Sequence, residues 1–319
     1  MNTSGYLREN RPFVFPDPLR KGDKIAIVSP ASVVKEEYVK GACSLIRGKG
    51  YDPLIMPSTI GKTKGSYAAD DENRLRDLLN ALADPQVRAV LCARGGYGCV
   101  HLLEGISKSA IIDDPKWIIG FSDVSALLAL WNKAGVGAIH GPMAKHLATE
   151  LPDDLCTEAL FNILENGGGF DYMFPSSPMN NPGEAEGVLR GGNLAVLNNL
   201  AGTPWDTFDV KKEEDVILFF EDVSEPIYAV ERMLYRLYYS GALMRAKGLI
   251  FGQFTNYYPD KNFDSMQEMI KDFIKKKEIK DIPVVYDFPV GHVSLNYPLT
   301  VGARVKLKVS KTEVSIYSF

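Results

Sequence analysis

Apolar runs alternate along the first half of the chain with segments of helical spacing. KIAIVSPAS, residues 24–32, has the pattern of a short buried strand running into a turn at Pro30, and the segment after it, to about Gly48, spaces its apolar residues as a helix does. The pattern returns in RAVLCARGGYG (residues 88–98), an apolar run broken by glycines, and in WIIGFSD (residues 117–123) with the helix-like VSALLALW behind it. It returns once more in GVGAIHGPM (residues 135–143). Repeated strand, helix and strand predict a parallel sheet with helices on both faces.

Beyond Glu165 the texture changes. ENGGGFDYMFPSSPMNNPG supplies glycine, proline, serine and asparagine with little periodicity, which predicts a linker over residues 166–183. The expected organisation is an N-terminal α/β domain over 1–165 and a C-terminal domain over 184–319. The second half begins with GEAEGVLRGGNLAVLNNLAGTPWD and contains the buried run DVILFFED (215–222), a helical pattern over 226–239 and the strand pattern KGLIFGQF (247–254). From PVVYDFPVGHVSLNYP to the last residue it reads as several short strands with tight turns, so this domain is expected to be mixed α/β with a strand-rich end. No internal repeat is evident.

Composition narrows the class of function. With 319 residues, 45% of them apolar, the chain can bury its core without staples. A formal net charge of −4 without long runs of either sign argues against a nucleic-acid footprint or a polybasic membrane patch, leaving a small molecule or peptide as the expected partner. Cys43, Cys92, Cys99 and Cys156 form no CxxC pair and are expected to be reduced packing residues. The segment MNTSGYLRENRPFVFPDPLRKGD lacks the apolar core of roughly 7 to 15 residues that a signal peptide requires. No window reaches the roughly 18 apolar residues of a membrane span. A cytoplasmic protein is expected.

In an open α/β sheet, ligands collect at the carboxyl ends of the strands. Ser122 stands at such an end, where a helix N-terminus favours an anion. Two readings stay open: a reactive hydroxyl, or an ordinary helix N-cap, with Asp123 in the first turn suiting the dipole either way. The elbow pattern G-x-S-x-G is not met, because Val124 stands at its final glycine. A nucleophilic serine needs a base, itself oriented by an acid. His292, in the turn-rich PVGHVSLNYP, and His140, after a strand of the first half, compete for the base. His101 falls in a predicted helix, and His146 follows GPMAK.

For the acid, the five apolar residues of DVILFFED carry Glu221 and Asp222 to the end of a buried strand. A buried carboxylate needs a partner, such as an imidazole N–H or an arginine, unless both carboxylates merely open the next loop in water. The cluster Arg94-Gly95-Gly96-Tyr97-Gly98 is not a dinucleotide fingerprint. Paired glycines can aim backbone N–H groups at an anion or simply make a turn, and Arg190-Gly191-Gly192-Asn193 offers the same choice. Without HExxH, His-x-His or a cysteine pair, no metal or other cofactor is expected.

The order and wording of these blocks resemble the LD-carboxypeptidase family, serine peptidases known as muramoyltetrapeptide carboxypeptidases, with microcin-immunity relatives. The likeness runs through GDKIAIVSPAS, ARGGYG, IIGFSDVSALL, AIHGPM, GVLRGGNLAVLNNLAGTPWD, LFFEDVSEPIYAVERML and VGHVSLNYPLTVGARVKL. It implies Ser122 as nucleophile, Glu221 as acid and His292 as base, with the serine in the N-terminal domain, the other two in the C-terminal domain, and the site formed where they meet. It also implies metal-free cleavage of the amide between a diamino acid and the terminal D-alanine of murein tetrapeptides, in cell-wall recycling. An immunity-type amidase acting on aminoacyl nucleotides is the rival within the family. A non-catalytic two-domain binding protein is the rival outside it.

For acyl transfer, the backbone N–H groups of Asp123 and of Gly95 or Gly96 are the expected oxyanion donors. Arg94 or Arg190 is expected to hold the substrate carboxylate, with Asn193 adding a polar contact. The expected assembly is a homodimer, with a murein peptide as partner and neither nucleic acid nor membrane.

Overall fold

The computed structural model describes residues 12–61, 65–151 and 153–319. The first eleven residues of the segment read as lacking a signal peptide lie outside them. The chain divides into two compact units, Met1–Gly169 with Tyr297–Gly302, and Phe170–Asn296 with Ala303–Phe319.

The first unit carries β1 (Lys24–Val28), β2 (Asp52–Ile55), β3 (Val87–Cys92), β4 (Trp117–Gly120) and β5 (Ala138–His140). Its helices are α1 (Glu36–Gly48), α2 (Asp71–Ala83), α3 (Lys108–Ile112), α4 (Ser125–Ala134), α5 (Ala144–Thr149) and α6 (Leu155–Glu165). Their amphipathic spacing is visible in α1, which buries Val39, Ala42, Cys43 and Ile46 on one stripe. Capping is visible in α2, whose Asp70 side chain accepts the Asn73 N–H. α1 packs on α5, whereas α3 packs on α2 and α4, and α2 and α4 each pack on a 3-10 turn at Cys99–Gly105.

The second unit contributes β6 (Asp171–Pro175), β7 (Gly183–Asn193), β8 (Val216–Val223), β9 (Gly248–Thr255) and β10 (Val284–Val285). With them come α7 (Leu194–Asn198), α8 (Ile227–Tyr239), α9 (Ala242–Arg245) and α10 (Met266–Lys276). The chain then re-enters the first unit as β11 (Leu299–Val301) and finishes in the second as β12 (Arg304–Val309) and β13 (Glu313–Ser318).

The first sheet has the order β11-β5-β4-β3-β1-β2. β2, β1, β3, β4 and β5 run parallel, and β11 closes the β5 edge antiparallel. The order reverses between β1 and β3, and an open parallel sheet binds ligands at such a switch point, beyond the strand carboxyl ends. The second sheet, β10-β9-β8-β7-β12-β13-β6, is parallel from β7 to β10 and antiparallel from β7 through β12 and β13 to β6. The central β4 and β8 are buried almost throughout, which is why WIIG and the first five residues of β8, VILFF, are apolar runs.

Two expectations about organisation change. The segment 166–183 holds β6, an edge strand whose residues alternate between exposed and half-buried, so its sequence carries no strong apolar signal. The C-terminal part is not one piece, because the fully buried Leu299, Thr300 and Val301 pair with β5 and cover an open sheet edge of the first unit.

Candidate active site

Ser122 follows β4 directly and begins a 3-10 turn, Ser122–Val124, that leads into α4. Its φ is 61°, a left-handed conformation that a residue with a β-carbon adopts at a cost. Neither the 3-10 turn nor α4 has a side-chain capping hydrogen bond. Ser122 is therefore not the N-cap that its position suggested; the turn holds it strained and half-exposed at the strand end.

The glycine cluster comes up against it. A β-carbon on Gly95 would lie 2.8 Å from Ser122 Cβ, 3.0 Å from its Oγ and 3.4 Å from the Asp123 nitrogen. Only a glycine lets this backbone approach the hydroxyl and the Asp123 N–H together. The cluster is fixed from three directions. Ser32 donates its N–H to the Gly95 carbonyl at 3.3 Å, and its Oγ accepts the Tyr97 N–H at 3.3 Å. Arg74 donates from Nη1 to the Gly98 carbonyl at 3.1 Å and to the Pro30 carbonyl. Asp123 accepts the Cys99 N–H at 2.9 Å. Gly96 and Gly98 have φ of 112° and 130°, so both positions need glycine.

Asp123 is 4% exposed. Burial raises its pKa, while the Cys99 N–H and thiol and the Arg74 charge pull it back. Its carboxylate stands in the first turn, as the sequence suggested, and also reaches across to the residue after the glycine cluster.

In the second unit, Glu221 lies on β8 where the register with β9 shifts between Phe220 and Asp222. Such an irregularity re-aims a side chain. Glu221 is fully buried, and its Oε2 accepts from His292 Nδ1 at 2.8 Å. Gly291, at φ 125°, makes this possible, since a β-carbon there would stand 3.0 Å from Glu221 Oε2. The Gly291 N–H is held by Asn296 Oδ1 at 2.9 Å, which closes the loop around the imidazole. A carboxylate on Nδ1 selects the tautomer in which Nε2 carries the lone pair.

Asp222, next along β8, accepts from Asn193 Nδ2 at 3.0 Å, the Ala195 N–H at 2.8 Å and the Val223 N–H at 2.8 Å. Burial first, and then the Glu221 charge, push it up to about 7 in spite of these three donors. It does not open a loop in water.

Other expected residues stand elsewhere. The guanidinium of Arg190 on β7, 3% exposed, grips both oxygens of Glu214 at 2.7 and 3.1 Å. It is an internal ion pair rather than a substrate clamp. Buried Asn193 caps α7, its Oδ1 accepting the Val196 N–H at 3.1 Å while its amide nitrogen holds Asp222, so both ends of that amide are engaged within the fold. Arg94 is exposed beside Gly95 and donates to the Val33 carbonyl at 2.9 Å.

Of the remaining histidines, His140 on β5 is fully buried with its ring 5.7 Å from that of Phe121. His146 pairs with Asp154 at 2.8 Å and His101 with Asp71 at 3.2 Å. All four cysteines are buried, and burial raises the Cys43, Cys92 and Cys99 thiols, which suits packing rather than chemistry. Among the described residues no group of three or more His, Cys, Asp or Glu side chains is placed to hold a metal ion, and no helix is long and apolar enough to cross a membrane.

Two further residues shape this site, and each has a mark in the sequence. Ser32 ends the turn after β1, at the switch point of the sheet. Arg74 lies on the face of α2 that also buries Asp77, Leu78, Ala81 and Leu82, so a charge stands where the helical period calls for an apolar residue.

The LD-carboxypeptidase N-terminal domain profile matches residues 25–141, and the LD-carboxypeptidase C-terminal domain profile matches residues 186–307. A Pseudomonas aeruginosa relative named murein tetrapeptide carboxypeptidase is 30% identical over 294 residues, covering 89% of this chain and 93% of its own. The crystal structure of a muramoyltetrapeptide carboxypeptidase from Oxalobacter formigenes superposes with a TM-score of 0.80 at 28% identity, over 92% of this chain and 98% of that one. MccF in complex with glutamyl sulfamoyl guanosine shares the fold, with a TM-score of 0.83 at 23% identity over 96% of this chain and 98% of its own. Matched in both domains and along most of its length, the chain belongs to the LD-carboxypeptidase family of serine-type peptide hydrolases.

Proposed function

We propose that this enzyme cleaves the amide between the L-centre of a diamino acid and the terminal D-alanine of murein tetrapeptides. His292 takes the proton of Ser122 as its oxygen attacks the scissile carbonyl, then gives that proton to the departing D-alanine amine. Water repeats the sequence on the acyl-enzyme. Glu221 keeps the imidazole in the required tautomer and stabilises the imidazolium. The N–H groups of Asp123 and of Gly95 or Gly96 receive the oxyanion. Arg94, exposed beside the glycine cluster, binds the substrate carboxylate, and Arg190 and Asn193 drop out of that role.

The observation that carries the reading is the uncapped Ser122, held at φ 61° against Gly95. The Glu221–His292 pair in the second unit and the family membership support it. The names of the relatives support the murein substrate. The proposal extends to a cytoplasmic homodimer acting in cell-wall recycling, to be read by cell fractionation and sedimentation.

The test is incubation with tetrapeptides carrying lysine or meso-diaminopimelate before D-alanine, beside an aminoacyl sulfamoyl adenylate, read by mass spectrometry. Loss of one D-alanine is expected. Intact tetrapeptides with a cleaved adenylate would replace the reading by an immunity-type amidase. Cleavage of neither would favour a binding protein.

A further inference from the structure

We propose that the Asp123 carboxylate is a positioning residue, which holds the glycine cluster against the Ser122 turn and so sets the spacing of the oxyanion donors. The inference rests on the reading of Ser122 as nucleophile. Asp123 enters that reading only through its backbone N–H, and the side chain has a separate task.

The geometry points to it in three ways. First, the carboxylate is buried and spans two segments, from the turn after β4 to Cys99 at the end of the glycine cluster. Burial of a charge is costly unless hydrogen bonds compensate it, and the compensation here comes from that cluster. Second, glycines at 95, 96 and 98 leave the cluster little stiffness of its own, so its shape depends on what grips it. Ser32 grips the Gly95 carbonyl and the Tyr97 N–H, and Arg74 grips the Gly98 carbonyl. Asp123 alone among these three is covalently next to Ser122. Its bond to Cys99 therefore ties the cluster to the nucleophile itself.

Third, the Cys99 N–H donates to the carboxylate at 2.9 Å, a bond strengthened by the charge on its acceptor. The neutral amide oxygen of an asparagine would keep this bond in weakened form, and an alanine would lose it. The approach is close, since a β-carbon on Gly95 would stand 2.8 Å from Ser122 Cβ and 3.0 Å from its Oγ. A shift of the cluster by a fraction of an ångström changes the distance from the Gly95 N–H to the developing oxyanion.

The test compares D123N and D123A with the unsubstituted enzyme in kcat and KM for a D-alanine tetrapeptide, and in the rate at which a fluorophosphonate labels Ser122. A positioning role predicts a fall in kcat of about 10-fold for D123N and about 100-fold for D123A, with KM within about twofold and labelling slowed in parallel. Partial rescue by asparagine and a loss confined to kcat distinguish positioning from a merely structural role. Equal kcat in D123N and the unsubstituted enzyme overturns the inference, and D123N decides alone if D123A fails to fold. Ser122→Ala is measured beside them. If it retains cleavage, the nucleophile reading falls and takes this inference with it; if it is inactive while the Asp123 variants turn over at full rate, only the positioning role falls.

Discussion

The Ser122 hydroxyl lies 3.0 Å from the point where a β-carbon on Gly95 would stand, so the nucleophile's turn and the glycine cluster fit only without that atom. Gly95→Ala is expected to displace one against the other and to lower kcat by about 100-fold, the scale of a misplacement near 1 Å. D-alanine release under saturating tetrapeptide checks it, with far-UV circular dichroism to show that the fold persists. Turnover at the unsubstituted rate would remove this contact from the mechanism.

Glu221 presents Oε2 to His292 Nδ1 at 2.8 Å from a fully buried position. In Glu221→Gln the amide no longer enforces the tautomer with its lone pair on Nε2, and kcat is expected to drop on the order of 10^3-fold to 10^4-fold. Steady-state kinetics on the folded variant give the answer. A loss below tenfold would mean that the imidazole is oriented by something else.

The two arginines beside paired glycines separate cleanly. Arg94→Ala is expected to raise KM and leave stability nearly unchanged, because its side chain is exposed. Arg190→Ala is expected to cost about 2 kcal/mol of stability, because it removes a buried guanidinium and the bidentate partner of the half-buried Glu214. KM for the folded fraction should not move. Urea denaturation and tetrapeptide kinetics on both variants test the division, and an unchanged KM in Arg94→Ala would exclude it from substrate binding.

Asp222 gives a pH signature. Its pKa rises from the ordinary 3.8 to about 7 on folding, so between these values the native state keeps a proton that the unfolded chain has released. Its contribution to stability is full below about pH 4 and is lost as pH rises towards 7. The difference in stability between the wild-type enzyme and Asp222→Asn should therefore shift against the wild type across that window. A difference that stays constant from pH 4 to 7 would show that Asp222 does not titrate there.

What the sequence carried is uneven for physical reasons. The parallel strands β1, β3, β4, β8 and β9 are buried and apolar along most of their length, so their runs announced them. The edge strand β6 pairs on one side only and looks like linker, while β11 returns to the first unit through pairing that no local pattern encodes. At the site, residue types at strand ends marked Ser122 and Glu221, but local pattern left Ser122 divided between cap and nucleophile. The left-handed φ and the missing capping bond are properties of the folded turn. Arg190 looked like an anion fork because its partner Glu214 lies far enough along the chain, past Gly191 and Gly192, for the pairing to need β7 and its neighbouring loop in place. Asp123 showed only its first-turn position, because Cys99 is brought to it by the fold and not by the local sequence.

The central claim is that Ser122 forms the acyl-enzyme. D-alanine release from a defined tetrapeptide by the unsubstituted enzyme and by folded Ser122→Ala measures it directly. The variant should lose essentially all turnover above the uncatalysed rate, while cleavage by Ser122→Ala near the unsubstituted rate would contradict the mechanism.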